Sequence, residues 1–271
     1  MAPIITLTTD FGLNDPYVAA MKGIILSINP GATVVDVSHH VRPGSVEQAA
    51  FILACVYPYY PPDAIHVAVV DPGVGTERRA IALTTPAGTF IGPDNGVLST
   101  ALPDETREGP PEAPRSATLP SGVRGFHLAE PRFHHQPVSS TFHGRDVFAP
   151  VAAHLSLGVN PVELGPEINE AMALPPFRAA AGRDGSLTGR VLHVDRFGNL
   201  ITNVRAGQLK SSRISVSIAG RELQGLARTY GETHGIAAIV GSSGFLEIAV
   251  PGGSAARELA ADIGAGVVVR I

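Results

Sequence analysis

Ala64-Ile65-His66-Val67-Ala68-Val69-Val70 runs directly into Asp71-Pro72-Gly73-Val74-Gly75-Thr76-Glu77-Arg78, and the reading of the fold starts there. The first part is apolar and too short for a helix, the pattern of a strand buried on both faces. It stops on an acid at a Pro-Gly turn, after which no helical pattern resumes. Strand ends in open α/β sheets are where such proteins place ligands and chemistry. The Gly-rich turn lets the chain fold back, which brings the Arg78 guanidinium within reach of Asp71.

Upstream, residues 3–9 read as another buried strand, ending at Asp10. Asn14-Asp15-Pro16 then resembles a helix start, a capping polar side chain followed by proline. Tyr17, Met21, Ile24, Ile25 and Ile28 follow at helical spacing, and Pro30-Gly31 stops them. Residues 32–37 form a second strand, ending near Ser38-His39-His40. Pro43-Gly44-Ser45 opens a second helix with Val46, Ala49, Ala50, Leu53 and Tyr57 on its apolar face. Strand, helix, strand, helix, strand predicts an α/β domain with a mainly parallel sheet and helices on both faces.

Downstream, residues 79–85 and 89–91 predict two strands around Pro86-Ala87-Gly88, and Gly92-Pro93-Asp94-Asn95-Gly96 a loop before a short helix. Residues 103–137, with Pro110-Pro111, Pro114 and Pro120-Ser121-Gly122, read as a long surface loop. Helical spacing returns over 144–157. After about residue 186 the pattern is short, β-branched and turn-separated, which predicts a smaller C-terminal all-β barrel. The expected organisation is an N-terminal α/β domain over 1–165, a linker over 166–186 and a β-barrel over 187–271.

The totals narrow the function. Of 271 residues, 44 % are hydrophobic and 16 % charged, with a formal net charge of -4. That balance fills a core and provides no basic stripe, so nucleic acid is not an expected partner. Cys55 is the single cysteine, so no internal disulfide forms, as suits a reducing compartment. No secretory leader pattern and no membrane-length apolar run are found. The expectation is a soluble, cytoplasmic protein acting on a small molecule.

Asp10, Asp36 and Asp71 stand at expected strand ends. An acid there often only caps the next helix; Asp71 is the one for which no helix follows. Gly73 and Gly75 lack the Lys-Ser/Thr of a phosphate loop, so a tight ligand-facing turn fits better. Adjacent histidines on a strand point to opposite faces, so His39-His40 and His134-His135 make poor metal pairs, and no metal is expected. His143, in Thr141-Phe142-His143-Gly144-Arg145-Asp146, stands at a helix entrance beside charged neighbours. Asp195-Arg196-Phe197-Gly198-Asn199 reads either as a plain hairpin or as an aromatic face plus an amide suited to a purine. Ser242-Ser243-Gly244 and Pro251-Gly252-Gly253-Ser254 are turns that spacing alone does not resolve.

Taken in order, Thr8-Thr9-Asp10-Phe11-Gly12, Val70-Asp71-Pro72-Gly73-Val74-Gly75-Thr76, Gly92-Pro93-Asp94-Asn95-Gly96, Thr141-Phe142-His143-Gly144-Arg145-Asp146 and Asp195-Arg196-Phe197-Gly198-Asn199 resemble the S-adenosylmethionine hydroxide adenosyltransferases, relatives of the fluorinase and chlorinase enzymes. The resemblance runs from about residue 4 to 254. It implies a homotrimer with active sites at subunit interfaces, no cofactor, and S-adenosylmethionine plus water giving adenosine and L-methionine. It carries a water-activating set onto Asp71, Arg78 and His143, and substrate contacts onto Asp10, Phe142, Gly144, Asp195, Phe197, Asn199, Ser242 and Gly252. Fluorinase-like members carry tyrosine where this chain has Asp71, and serine where it has Gly144. The chlorinase shares the glycine, so Asp71 is what sets this chain apart. Transfer of chloride and non-catalytic binding of S-adenosylmethionine are the alternative readings.

Overall fold

The computed structural model describes residues 2–109 and 113–270; Pro110-Pro111, expected within the long surface loop, lies outside them. The chain divides into two compact units, Met1–Pro176 and Phe177–Ile271.

The first unit begins with the expected alternation. β1 (Ile4–Thr9), α1 (Tyr17–Ile28), β2 (Thr33–Ser38), α2 (Val46–Val56) and β3 (Ile65–Val69) follow one another. β4 (Ala80–Thr85) and β5 (Gly88–Pro93) form a hairpin, and β6 (Arg115–Thr118), β7 (Arg124–His127), α3 (Ala149–Ser156), β8 (Glu167–Ile168) and β9 (Glu170–Ala173) complete the unit. The seven-stranded sheet has the order β2-β1-β3-β5-β4-β7-β8. It is mixed: β2, β1, β3 and β5 run parallel, and the pairings beyond β5 are antiparallel. α1 and α3 cover one face through Met21, Ile25, Val151 and Ala152, and α2 covers the other through Ala49 and Leu53. With helices on both sides, the central strands have no solvent face, which is why Ile65–Val69 is buried at every position.

Four local expectations are corrected. No side chain caps α1; its first turn closes through Ala20 N–H donating to the Pro16 carbonyl at 2.9 Å. The helical spacing over 144–157 begins as a π-turn at Gly144–Phe148 before α3. Residues 103–137 are not a structureless loop, since β7 pairs with both β4 and β8 and β6 pairs with β9. Strands of four residues between prolines carry too little periodicity to be seen in the sequence. Residues 166–186, expected as a linker, contain β8, β9 and a short strand, β10 (Ala180–Ala181).

The second unit is all-β. β11 (Leu187–Val194), β12 (Leu200–Arg205), β13 (Ser215–Ile218), β14 (Arg221–Gln224), β15 (Ala237–Val240), β16 (Phe245–Ala249) and β17 (Gly266–Arg270) pair antiparallel in the order β14-β13-β17-β11-β12-β16-β15. The Ala227–Ile239 bridge joins the segment after β14 to the far edge strand, so the sheet curls into a nearly closed barrel. Leu187, Val191, Val204, Leu246, Ile248 and Val269 fill it. A one-turn helix, α4 (Ala255–Glu258), is capped by the Ser254 hydroxyl. The α/β first unit and β-barrel second unit are the fold class expected from the sequence.

Candidate active site

β1 and β3 are parallel neighbours in register, Thr9 beside Val69, so the residues after them leave the sheet side by side at its carboxyl edge. Asp10 follows β1 directly, and Asp71 follows β3 after Val70. Asp10 Oδ2 accepts the Gly44 N–H at 2.8 Å, which ties it to the turn before α2. After Asp71 the chain doubles back. Val74 N–H donates to the Asp71 carbonyl and Thr76 N–H to the Gly73 carbonyl, both at 3.2 Å. Gly75 has φ +78°, and a Cβ there would overlap the Ser140 carbonyl oxygen; glycine alone satisfies both the turn and the close approach.

The reversal delivers Arg78 to Asp71 as a fork. Arg78 Nε donates to Asp71 Oδ1 at 3.0 Å and Nη2 to Oδ2. The two side chains are 10 % and 6 % exposed, so the pair is shielded where a two-point guanidinium–carboxylate contact is strongest. The Arg78 guanidinium also lies over the Phe148 ring, 5.4 Å from its centroid. Arg78 Nη2 lies 2.8 Å from His143 Nδ1. A guanidinium only donates, so Nδ1 is the acceptor, and the neutral ring carries its proton on Nε2. Burial, helped by the Arg78 charge, holds the His143 pKa below its ordinary value. Near neutral pH His143 is therefore an uncharged donor through Nε2, and Asp71 is the acceptor of the three.

The π-turn places His143. Asp146, fully buried, takes the Ser139 N–H at 2.9 Å and both Arg145 contacts, at 2.6 and 2.9 Å. Burial alone would raise its carboxyl pKa, but these bonds bring it below the usual range. The ionised group thus staples the 139–146 segment over the Gly75 turn. Gly144 is crowded, with Phe11, Phe142 and Met21 atoms 3.2–3.3 Å from where a Cβ would stand.

Between these elements lies a cleft of about 360 Å³, lined by Asp10, Phe11, Gly44, Asp71, Phe142 and His143 among others. Phe11, Tyr17 and Phe142 meet edge to face at 5.2–5.9 Å and form an apolar wall. A nucleoside-sized molecule fits a cleft of this size and mixed lining.

Within the second unit, Asp195 Oδ1 accepts the N–H groups of Phe197 and Asn199, and Oδ2 the Asn199 side-chain amide, all at 2.9 Å. Gly198, at φ +84°, completes the turn. It buries Asn199 and leaves Phe197 75 % exposed, an aromatic face held out from a rigid turn. Ser242 is exposed, and Gly252 stands at φ +70° in an exposed turn. Asp36 lies within β2, bonded to Lys22 at 2.5 Å and 3.0 Å from His39, so it belongs to the sheet and not to the cleft. His39 is buried against Thr9. Among the described residues no group of three or more His, Cys, Asp or Glu side chains is arranged to hold a metal. The sequence reading missed Gly44, whose N–H fixes Asp10; its only signal was the Pro43-Gly44-Ser45 turn.

Family models described as the SAM hydroxide adenosyltransferase N-terminal domain and C-terminal domain match residues 5–165 and 189–268. A protein of Salinispora arenicola named (R)-S-adenosyl-L-methionine hydrolase is 43 % identical over 95 % of this chain and 94 % of its own. A Thermus thermophilus protein of the same name is 42 % identical over 96 % of each. A fluorinase of an Actinoplanes species is further off, at 29 % over 78 % of this chain and 75 % of its own. A crystal structure of an uncharacterised conserved protein from Thermotoga maritima superimposes with a TM-score of 0.84 at 31 % identity, covering 98 % of this chain and all of the other.

Proposed function

The chain belongs to the SAM hydroxide adenosyltransferase family, and on that premise we propose that it hydrolyses S-adenosyl-L-methionine to adenosine and L-methionine. The observation that carries the reading is the joined Asp71–Arg78–His143 set at the edge of the cleft. Its support from outside the site is the near full-length similarity to proteins named for this reaction.

The sulfonium makes methionine a good leaving group from the ribose 5′ carbon. A water opposite the sulfur forms the new C–O bond as the C–S bond breaks, and the released proton passes to Asp71 and then to solvent. Bulk water is too weak an acid to yield free hydroxide to a carboxylate, so proton removal accompanies attack. Arg78 fixes the Asp71 oxygens, and the positive charge beside them favours the developing hydroxide. The Nε2–H of His143 orients the water by donating to it. Alignment within the cleft contributes much of the acceleration. Asp10 holds the ribose hydroxyls, and Phe142 and Gly144 shape the ribose side. Asp195, Phe197, Asn199, Ser242 and Gly252 contact adenine and the methionine portion.

The working form in this proposal is a homotrimer with its sites at subunit interfaces, cytoplasmic and without a cofactor. No described helix is long and apolar enough to cross a membrane. Halide transfer fits less well. Asp71 faces the cleft as a proton acceptor, which an attacking water needs and a halide does not.

The test is product analysis after incubation with S-adenosyl-L-methionine, with and without molar chloride, the (R) and (S) sulfonium epimers supplied separately. Adenosine and methionine in equal amounts, from the (R) epimer and irrespective of chloride, are expected. A 5′-chloro nucleoside or intact substrate would refute the reading.

A further inference from the structure

Two segments of the first unit must stay in register for Arg78 to grip Asp71: the end of β3, which leads into Asp71, and the start of β4, which follows Arg78. The Gly92-Pro93-Asp94-Asn95-Gly96 turn holds both, and the proposed chemistry uses none of its residues.

At the first segment, β3 pairs with β5 only as far as Val67–Ile91. Pro93 has no N–H and contributes no donor to the ladder beyond. Asn95 supplies one: its Nδ2 donates to the Val70 carbonyl at 2.9 Å. Its Oδ1 meanwhile accepts the Val97 N–H at 3.1 Å, which fixes which way round the amide stands. The approach is close, because a Cβ on Gly92 would overlap the Ala68 carbonyl oxygen.

At the second segment, Asp94 N–H donates to the Arg79 carbonyl at 2.9 Å, and Arg79 Nε to Asp94 Oδ2 at 2.8 Å. The Asp94 side chain is 3 % exposed, and its Oδ1 accepts the Met172 N–H at 2.6 Å. Successive side chains of an extended chain point to opposite sides. Binding Arg79 to Asp94 on one side turns Arg78 to the other, towards Asp71.

We propose that Asp94 and Asn95 are positioning residues for the Asp71–Arg78 pair. Neither lines the cleft. Asn95 fixes the backbone entering Asp71, Asp94 fixes the backbone leaving Arg78, and their adjacency in sequence sets the distance between the two. The inference rests on the hydrolase reading for its activity measurement only.

The test uses Asn95→Asp, which keeps the shape but turns an oxygen on the Val70 carbonyl, and Asp94→Asn, which keeps an acceptor for Met172 but loses the charge facing Arg79. Asn203→Asp is the matched control. Asn203 makes the same two kinds of bond in the second unit, donating to the Arg178 carbonyl at 3.0 Å and accepting the Arg190 N–H at 2.7 Å. Amide hydrogen exchange is read at Val74 and Thr76, whose N–H groups close the turn. Both should exchange about tenfold faster in the Asn95 and Asp94 variants, the effect of about one lost hydrogen bond, and at the wild-type rate in Asn203→Asp. In the same two variants kcat should fall about tenfold or more while KM stays within about twofold, because positioning acts on the transition state.

Unchanged exchange at Val74 and Thr76 overturns the proposal whether or not the wild type turns over S-adenosylmethionine. So does equal loosening in Asn203→Asp, or a loss expressed in KM alone. If wild type shows no turnover while exchange responds as stated, the hydrolase reading fails and the brace stands.

Discussion

His143 is held by two opposed demands. Its Nδ1 accepts from Arg78, which requires a neutral ring, while an acid solvent favours the imidazolium. Burial and the Arg78 charge lower its pKa, so the neutral form persists to more acidic pH than for a free histidine. Protonation removes the acceptor and sets two cations side by side. The acid limb of kcat should therefore have its midpoint below pH 6.5, the ordinary histidine value; a pH–rate profile checks it, and a midpoint at or above 6.5 contradicts the assignment. Asp71→Asn keeps the shape and removes the group that takes up the proton, so kcat should fall by about 100-fold to 10,000-fold, the range for general base catalysis. Calorimetric affinity for S-adenosylmethionine should change far less, and wild-type kcat in this variant would show that another group takes the proton. The Asp71–Arg78 pairing was legible in the sequence because the two lie seven residues apart across a glycine turn. His143 stands out in the sequence as a helix-entrance histidine beside charged residues, but its role beside Arg78, 65 residues away, is implied by the family resemblance, since no local spacing encodes that contact.

Among the elements, the turn from Asp71 to Arg78 concentrates the backbone demands. Gly75→Ala would require both a left-handed alanine and a displaced Ser140 carbonyl. It should destabilise the protein by about 2 kcal/mol or more and reduce kcat, measured by urea unfolding alongside the product assay. A variant as stable and active as wild type would show that the turn and the 139–146 segment are not packed as described. β1, α1, α2 and β3 were legible because each apolar run ends near Pro, Gly or an acid, and β2 because its β-branched run between Pro30-Gly31 and Ser38-His39-His40 is short. β6 to β9 were not, because strands of two to four residues owe their existence to partners far along the chain. Arg107 makes the same point: it is buried, and its guanidinium donates to the Leu174 carbonyl at 3.2 Å, a partner that no local window contains. The π-turn before α3 was hidden because its side chains keep near-helical spacing while the backbone widens around Asp146.

For the whole molecule, each unit has its own apolar core, and acid stability in the first is set in part by a histidine unrelated to the cleft. His66 is fully buried on β3, its Nδ1 2.9 Å from the Thr6 hydroxyl, and burial lowers its pKa to about 4. The unfolded chain takes up a proton near pH 6.5 that the folded chain refuses. The stability that depends on the neutral ring is complete above pH 6.5 and is lost as pH falls towards 4, by about 3 kcal/mol for a difference of this size. His66→Gln cannot titrate, so its unfolding free energy should decline less between pH 7 and 4.5 than that of wild type. Equal slopes would mean that His66 is not what titrates.

For the proposed reaction, everything turns on whether water itself attacks the ribose carbon. The reaction run in ¹⁸O-labelled water decides this, with both products read by mass spectrometry. The proposed chemistry predicts one ¹⁸O in the 5′ hydroxyl of adenosine and none in methionine. Label in methionine, or adenosine released without label, would contradict it.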